Sequence, residues 1–430
     1  MGLEAARRSQ TMAEARQYPT NLAPSHPHRA SFLLSSIIRA AILPVPLAFP
    51  LPDTALMRLL YAFPEPLPLP RARGVQVVHA VQALAAEVDA IDFAFEPVPG
   101  VADPFAAYGL EKPANVTLLP ISRALPWPLH RLKARSQRCF VRRLLMAVEG
   151  RRPDITLVRH IKLACAFSRA RPDLPLAYEA HEVFADTTES RRPNRIAATE
   201  ACAVLGARLL LANSAATAAR LAERYPAARR AVVLPNGVRL PNAQPAKDWS
   251  RISQEIIYTG SLFGWKGVDD LVAAAALLPG CRITIVGGSA ADVAELRQKA
   301  PSNGAELVFA GHLPHGEVQR RLTAACIAVL PNRPDPDSAF TSPLKLFEYL
   351  AAGCAVVSTD LPPIREILGD ADAAWAEAGN PASLAAAIST LVSDSGRAAA
   401  MAARGFACVQ PHSWTARARR LSGLLQDAIR

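Results

Sequence analysis

The sequence predicts an α/β protein built of two doubly wound parallel-sheet domains, and three observations predict it. The chain has 430 residues, too many for one ordinary α/β domain and the right size for two. Short apolar runs alternate with helix-length segments in the rhythm of βαβ units. That rhythm breaks once, at the turn Pro235-Asn236-Gly237 and the polar, proline-bearing stretch 241–250, which reads as an interdomain linker.

Each element follows from its run. Strands are expected at 57–63, 90–95, 116–120, 155–158, 176–179, 209–213 and 231–234, and in the second half at 255–259, 282–286, 306–310, 327–330 and 355–358. A proline-rich loop and Gly74 follow the first strand, with a helix starting at Val75. Folds of this class bind ligands beyond the carboxyl ends of their strands, so chemistry belongs in the residues just after each strand. The domains are expected at 57–240 and 251–410, with a closing segment at 411–430. Residues 1–56 are polar and basic, then proline-broken, with neither helical nor strand period. They read as a disordered extension or a misassigned start, with Met57 as the true initiator.

Composition narrows the function classes. Half the residues are apolar and only 6% aromatic, which suits strands packed under Ala- and Leu-rich helices. The seven cysteines are scattered and never spaced C-x-x-C, so reduced thiols are expected, with neither a disulfide framework nor a zinc site. A net charge of +11 points to an anionic partner: nucleic acid, acidic bilayer or phosphorylated substrate. The most apolar region, 31–52, is cut by Arg39 and four prolines, so no transmembrane helix is expected.

Two segments carry chemistry. In Ser342-Pro343-Leu344-Lys345-Leu-Phe-Glu348-Tyr-Leu-Ala-Ala-Gly353, Ser342 suits an N-cap, Pro343 the first helical position and Gly353 a left-handed stop. The helix start offers free N–H groups and a positive dipole end to an anion. Lys345 opposes that dipole unless a phosphate or carboxylate is near, and Glu348 suits the two hydroxyls of a ribose. The same Lys345 and Glu348 also fit an exposed i,i+3 ion pair. In the strand-loop-helix segment 256–270, Gly260, Gly264 and Gly267 permit close backbone approach to a ligand, and Lys266 can neutralise a diphosphate.

The ordered series Pro235-Asn-Gly237, Tyr258-Thr-Gly-Ser261, Lys266-Gly267, Ile285-Val-Gly-Gly288, Ala310-Gly-His312, Val329-Leu-Pro-Asn332 and Ser342 to Gly353 resembles the donor lobe of glycosyltransferase family 4. Gly74-Val-Gln-Val-Val-His79, Tyr178-Glu-Ala-His-Glu182 and Ala212-Asn-Ser214 are similar to that family's acceptor lobe. The resemblance runs from about Met57 to the end. It implies the GT-B fold, two Rossmann-like domains facing across a cleft, and a retaining, metal-independent transfer of sugar from a nucleotide-sugar donor to a sugar or lipid-linked acceptor. On that resemblance Lys266 contacts the donor diphosphate together with Gly260 and Ser261. The Ser342, Pro343 and Leu344 backbone and Lys345 contact phosphate or sugar, Glu348 binds ribose, His181 orients the transferred sugar, and Gly74 and Gln76 lie on a loop closing over the substrates. By itself, His181 equally suits a strand-end histidine satisfied by backbone.

This chain departs from the family pattern at two places. The earlier of two glutamates commonly found there is Phe340, and an arginine found in many members is replaced by Ser261. Asp335-Pro-Asp337 has the spacing of a metal-binding D-x-D but suits a solvated turn, so no metal is expected.

Residues 130–152 combine Arg131, Lys133, Arg135, Arg138, Arg142 and Arg143 with Leu132, Phe140, Leu144 and Leu145. This suits either a helix lying on an anionic membrane surface or an ordinary solvated face. A cytoplasmic enzyme, peripheral at the membrane, is the resulting expectation. Trp414, Leu421, Leu424 and Leu425 are expected to pack the closing helix. Other readings are a nucleotide-sugar epimerase of the same fold and a nonenzymatic basic binding protein; low aromatic content disfavours nucleic acid as a partner. Deleting residues 1–56 is expected to leave melting temperature and activity unchanged, and a collapse of either would refute Met57 as the start of the fold.

Overall fold

The computed structural model describes residues 57–69, 72–125, 136–188, 193–335 and 344–430. Seven strands form the first sheet: β1 Arg58–Leu67, β2 Ala90–Pro97, β3 Val116–Pro120, β4 Ile155–Val158, β5 Leu176–Ala180, β6 Leu209–Ala212 and β7 Val232–Val233, in the order β3-β2-β1-β4-β5-β6-β7. Six form the second: β8 Ile256–Thr259, β9 Arg282–Val286, β10 Glu306–Gly311, β11 Ile327–Leu330, β12 Ala355–Thr359 and β13 Ala374–Ala376, in the order β10-β9-β8-β11-β12-β13. Every pairing is parallel.

Parallel sheets must be covered on both faces, and the cores obey this. Tyr61, Phe93, Ile155 and Leu211 point to one side of the first sheet, Leu60, Ala94, Val158 and Tyr178 to the other. The second sheet is sandwiched in the same way. Each strand order reverses once, between β1 and β4 and between β8 and β11, and a crevice opens at such a reversal.

The first strand runs further than the sequence suggests. β1 continues through Pro64 and Pro66 to Leu67, with a register shift against β2 between Phe63 and Pro66. Its pairing with β4 stops at Ala62, so the prolines lie where β4 asks for no N–H donor. The following helix, Ala72–Leu84, starts earlier than Val75. Gly74 and Gln76 therefore sit in its first turns and not on a loop, which corrects the expectation for both. Gly74 is there for close approach: a Cβ would stand 2.5 Å from Leu69 O and 2.6 Å from Tyr108 Oη.

The expectation that all thiols are reduced is also corrected. The helices Ile161–Ala170 and Pro193–Gly206 pack together and bring Cys165 and Cys202 into a disulfide, with Cα atoms 5.1 Å apart. A pairing across 37 residues leaves no local spacing signal.

Both crossings between the sheets run side by side. Val238 N–H donates to His412 O at 2.9 Å and Trp414 N–H to Val238 O at 3.1 Å. The closing helix Trp414–Ile429 then packs Leu421 and Leu425, both fully buried, into the core of the first sheet, with Leu424 at its edge, while Trp414 stacks on His79 at 5.8 Å. Among the described residues no helix is long and apolar enough to cross a membrane.

Candidate active site

At the carboxyl end of β8 the chain passes Gly260 and Ser261 into a single turn, Gly264–Lys266. The Thr259 N–H donates to Tyr349 Oη at 2.9 Å, which bolts the helix Leu344–Ala351 to the strand end. Lys345 lies one turn before Tyr349 on the same helix face, so its ammonium is delivered to Gly260. A Cβ on Gly260 would stand 1.4 Å from Lys345 Nζ, and φ there is 142°. Only glycine leaves that space open.

The loop after β11 braces the same turn. Arg333 N–H donates to Trp265 O at 2.9 Å, and its guanidinium grips Asp270 with bonds of 2.6 and 2.7 Å. Lys266 Nζ lies 3.5 Å from the Trp265 ring centroid. Burial, and then the Lys345 charge, push the Lys266 ammonium down to about 7. Burial pushes Lys345 down to about 8, against the pull of Glu348. Burial raises the Glu348 carboxyl, opposed by Lys345 and His315. The structure thus brings Gly260, Lys266, Lys345 and Glu348 together at the β8/β11 reversal. Ser261 is part of the same loop, its carbonyl accepting from Tyr258 Oη at 2.7 Å, and Leu344 opens the described helix. Ser342 and Pro343 lie outside the described residues, as do Phe340, Thr341 and Asp337. Among the described residues no group of His, Cys, Asp and Glu is arranged to hold a metal.

His181 belongs to a second cluster, at the β1/β4 reversal. It follows β5 and is about one-fifth exposed, at 21%. Its Nε2 lies 2.7 Å from Glu179 Oε1 and its Nδ1 2.9 Å from Arg159 Nη2. Arg159 Nη2 also donates to Gln76 Oε1 at 2.8 Å, and Arg417 Nη2 to Glu179 Oε1 at 2.6 Å. Burial alone would raise the Glu179 carboxyl, yet Arg417, Arg159 and His181 together hold it far below the usual carboxylate range. Burial, then Arg159, pushes the His181 imidazole down to about 4, so it is neutral at pH 7. Gln76 thus enters the site as the residue that holds Arg159, while Gly74 lies against Leu69 and Tyr108, away from these contacts.

The lobes meet near this cluster. Glu366, beyond β12, accepts from the N–H groups of Ala215 and Ala216 at 2.9 and 3.2 Å, and Asn213 beside them donates to His181 O at 3.0 Å.

Sequence reasoning gave no role to Tyr349, Arg159, Glu179 or Arg417. Two signals for them exist: Glu179 is a lone charge inside an apolar strand, and Arg417 shares a helix face with Ala418, Leu421 and Leu425. A charge on a buried face needs a partner.

Residues 253–394 match the sequence model described as glycosyl transferases group 1, and residues 74–240 that of glycosyltransferase family 4. The chain belongs to glycosyltransferase family 4. No curated protein matches this glycosyltransferase in sequence at a significant level. Solved structures share its fold. HepE of Anabaena, in complex with UDP and glucose, superposes with a TM-score of 0.64 at 18% identity, covering 86% of this chain and 100% of its own. Sucrose-phosphate synthase of Thermosynechococcus elongatus gives 0.67 at 17%, over 87% and 99% of the two chains. WaaG, a glycosyltransferase involved in lipopolysaccharide biosynthesis, gives 0.60 at 16%, over 85% and 99%. The two parallel-sheet lobes of this family 4 enzyme are therefore those of a GT-B glycosyltransferase.

Proposed function

We propose that this glycosyltransferase moves a hexose-type sugar from a nucleoside-diphosphate donor to a hydroxyl of a sugar or lipid-linked acceptor, with retention of anomeric configuration. The observation that carries the reading is that Lys345 reaches Gly260 with the Lys266 ammonium near enough to feel its charge and Glu348 one helical turn away. Two partly buried ammonium groups with depressed proton affinity form a site whose charge a diphosphate relieves. Glu348, one helical turn from Lys345, is the carboxylate we assign to the ribose hydroxyls. The lysines supply the charge stabilisation that a divalent cation gives elsewhere, so the reading calls for no metal.

In the transfer the bond between the anomeric carbon and the diphosphate oxygen breaks, with its electron pair leaving on the diphosphate. The acceptor oxygen forms the new bond on the same face and gives its proton to the departing diphosphate. What supports a route without a protein base is His181: both its nitrogens are engaged by Glu179 and Arg159. HepE was solved with UDP-glucose, which makes a UDP-sugar the first donor to try. We place the product in a surface glycan or glycolipid and the enzyme on the cytoplasmic side of the membrane. Support for the membrane comes from the helix Gln137–Val148, which buries Phe140, Leu144 and Val148 and leaves Arg138, Arg142 and the 64% exposed Met146 outward. Residues 126–135 of that basic segment lie outside the described residues.

Two measurements check these assignments. In a thermal-shift and calorimetric screen of UDP-, GDP- and ADP-sugars, one class is expected to bind. Its affinity should weaken as pH rises through about 7 and again through about 8, where the free ammonium groups lose the protons a diphosphate needs. Lys266→Met should cost about 10- to 100-fold in affinity and remove the lower step; pH-independent binding of any donor would contradict the lysine site. For the membrane face, sedimentation with anionic vesicles at low salt should deplete the protein from solution, and Arg138→Glu/Arg142→Glu should restore it. A parent protein that stays in solution leaves only a solvated helix.

A further inference from the structure

A carboxylate buried in a strand must be answered by donors, and the donors of Glu179 come from remote parts of the chain. Its side chain is 2% exposed, and its Oε1 takes both Arg417 Nη2 at 2.6 Å and His181 Nε2 at 2.7 Å. An ionised carboxylate only accepts. A bare Nε2 facing that oxygen would set lone pair against lone pair, so the imidazole proton sits on Nε2. Nδ1 is then the acceptor, and Arg159 Nη2 supplies its proton at 2.9 Å. Arg159 Nε also points its N–H at Nε2 from 2.7 Å; that single contact favours a bare Nε2 and is outweighed by the Glu179 and Nη2 contacts, which both call for the proton on Nε2. Gln76 Oε1 holds the same guanidinium from the helix after β1.

Arg417 gives the cluster its reach. Its Nε donates to Pro235 O at 2.9 Å, at the start of the outgoing crossing between the lobes. Its own helix begins directly after the returning crossing, where Ser413 bridges Val238. One residue therefore ties both crossings to the carboxylate beside His181: its buried side chain, 5% exposed, reaches Pro235 and Glu179, and its backbone N–H donates to Ser413 O at 2.9 Å.

We propose that Arg417 is a positioning residue that couples the paired interlobe crossings to the cleft: through Glu179 it locks His181 as the neutral Nε2–H tautomer, with Arg159 and Gln76 closing the other side of the ring. This inference rests on the reading of His181 as a residue facing the transferred sugar. The groups around His181 are Glu179 on β5, Arg159 after β4, Arg417 on the closing helix, and the Tyr61 hydroxyl on β1 beneath Arg159. Burial most of all, then Arg159 and to a smaller extent Arg417, disfavour the imidazolium, and Glu179 favours it. Loss of Arg417 leaves Glu179 with only the longer ion pair to Arg159, at 3.9 Å, and the imidazole becomes the group that can add a further positive charge. A lobe movement that draws Arg417 away from Glu179 would have the same effect, releasing the tautomer and allowing His181 to protonate.

The test is nitrogen-detected NMR of the His181 imidazole in the full chain without ligand, alongside the pH profile of turnover. In the parent, a single Nε2–H tautomer is expected, titrating near about 4, far below the ordinary 6.5. In Arg417→Met the midpoint should rise above the parent's while burial and Arg159 still hold it below 6.5, and turnover should gain a loss on the acid side of that midpoint that the parent lacks. Arg417→Lys, which keeps the charge, should restore most of the parent behaviour. If Arg417→Met does not fold, Glu179→Gln/Arg417→Met removes both buried charges together and should give a mixture of tautomers. A folded Arg417→Met or double variant whose imidazole keeps the parent's single tautomer and midpoint overturns the coupling. A chain that transfers no sugar while its imidazole responds as stated overturns the transferase reading and leaves the coupling standing.

Discussion

Two ammonium groups forced together at the end of β8 are the constraint on which the account of this enzyme depends. Like charges brought out of bulk water repel and lose hydration at once, and both effects lower the proton affinity of Lys266. The fold keeps them there by rigid means. Tyr349 ties the helix of Lys345 to the backbone of Thr259, and Arg333 ties the Lys266 turn to Asp270 and Trp265. Gly260 leaves open the space into which Lys345 reaches. An anion between the lysines would turn that cost into binding, which is why the proposed diphosphate suits this strand-end crevice.

The other lobe uses opposite bookkeeping at its own strand reversal. There every buried charge is answered: Glu179 by Arg417 and His181, Arg159 by Gln76 and the imidazole. A satisfied network of this kind is rigid, and a rigid neutral histidine orients a ligand better than it exchanges protons. One lobe thus leaves cations for an anion to neutralise while the other presents a fixed surface, a division suited to the proposed reaction, in which the leaving diphosphate does the proton chemistry.

Much of the fold was legible because strands in a parallel sheet are short apolar runs bounded by turn residues. The runs at 116–120, 155–158, 282–286 and 327–330 coincide with β3, β4, β9 and β11. β13 was missed because three residues, Ala-Trp-Ala, carry no alternation to read. Prolines 64 and 66 read as a loop because their tolerance in β1 depends on where β4 stops pairing, which is tertiary information. The same misreading put Gly74 and Gln76 on a loop. In the site, Lys266, Lys345 and Glu348 were legible from helix geometry and loop chemistry. Arg417 was not, since its partner Glu179 lies 238 residues away and a helix face names no partner. Cys165 and Cys202 were hidden for the same reason.

The most direct test is to follow the side-chain nitrogens of Lys266 and Lys345 by NMR as a nucleoside diphosphate is added near pH 8. Both should become fully protonated on binding, with their titrations displaced upward from about 7 and about 8. Binding of the nucleotide with both titrations unmoved would place the diphosphate elsewhere and contradict the account at its base.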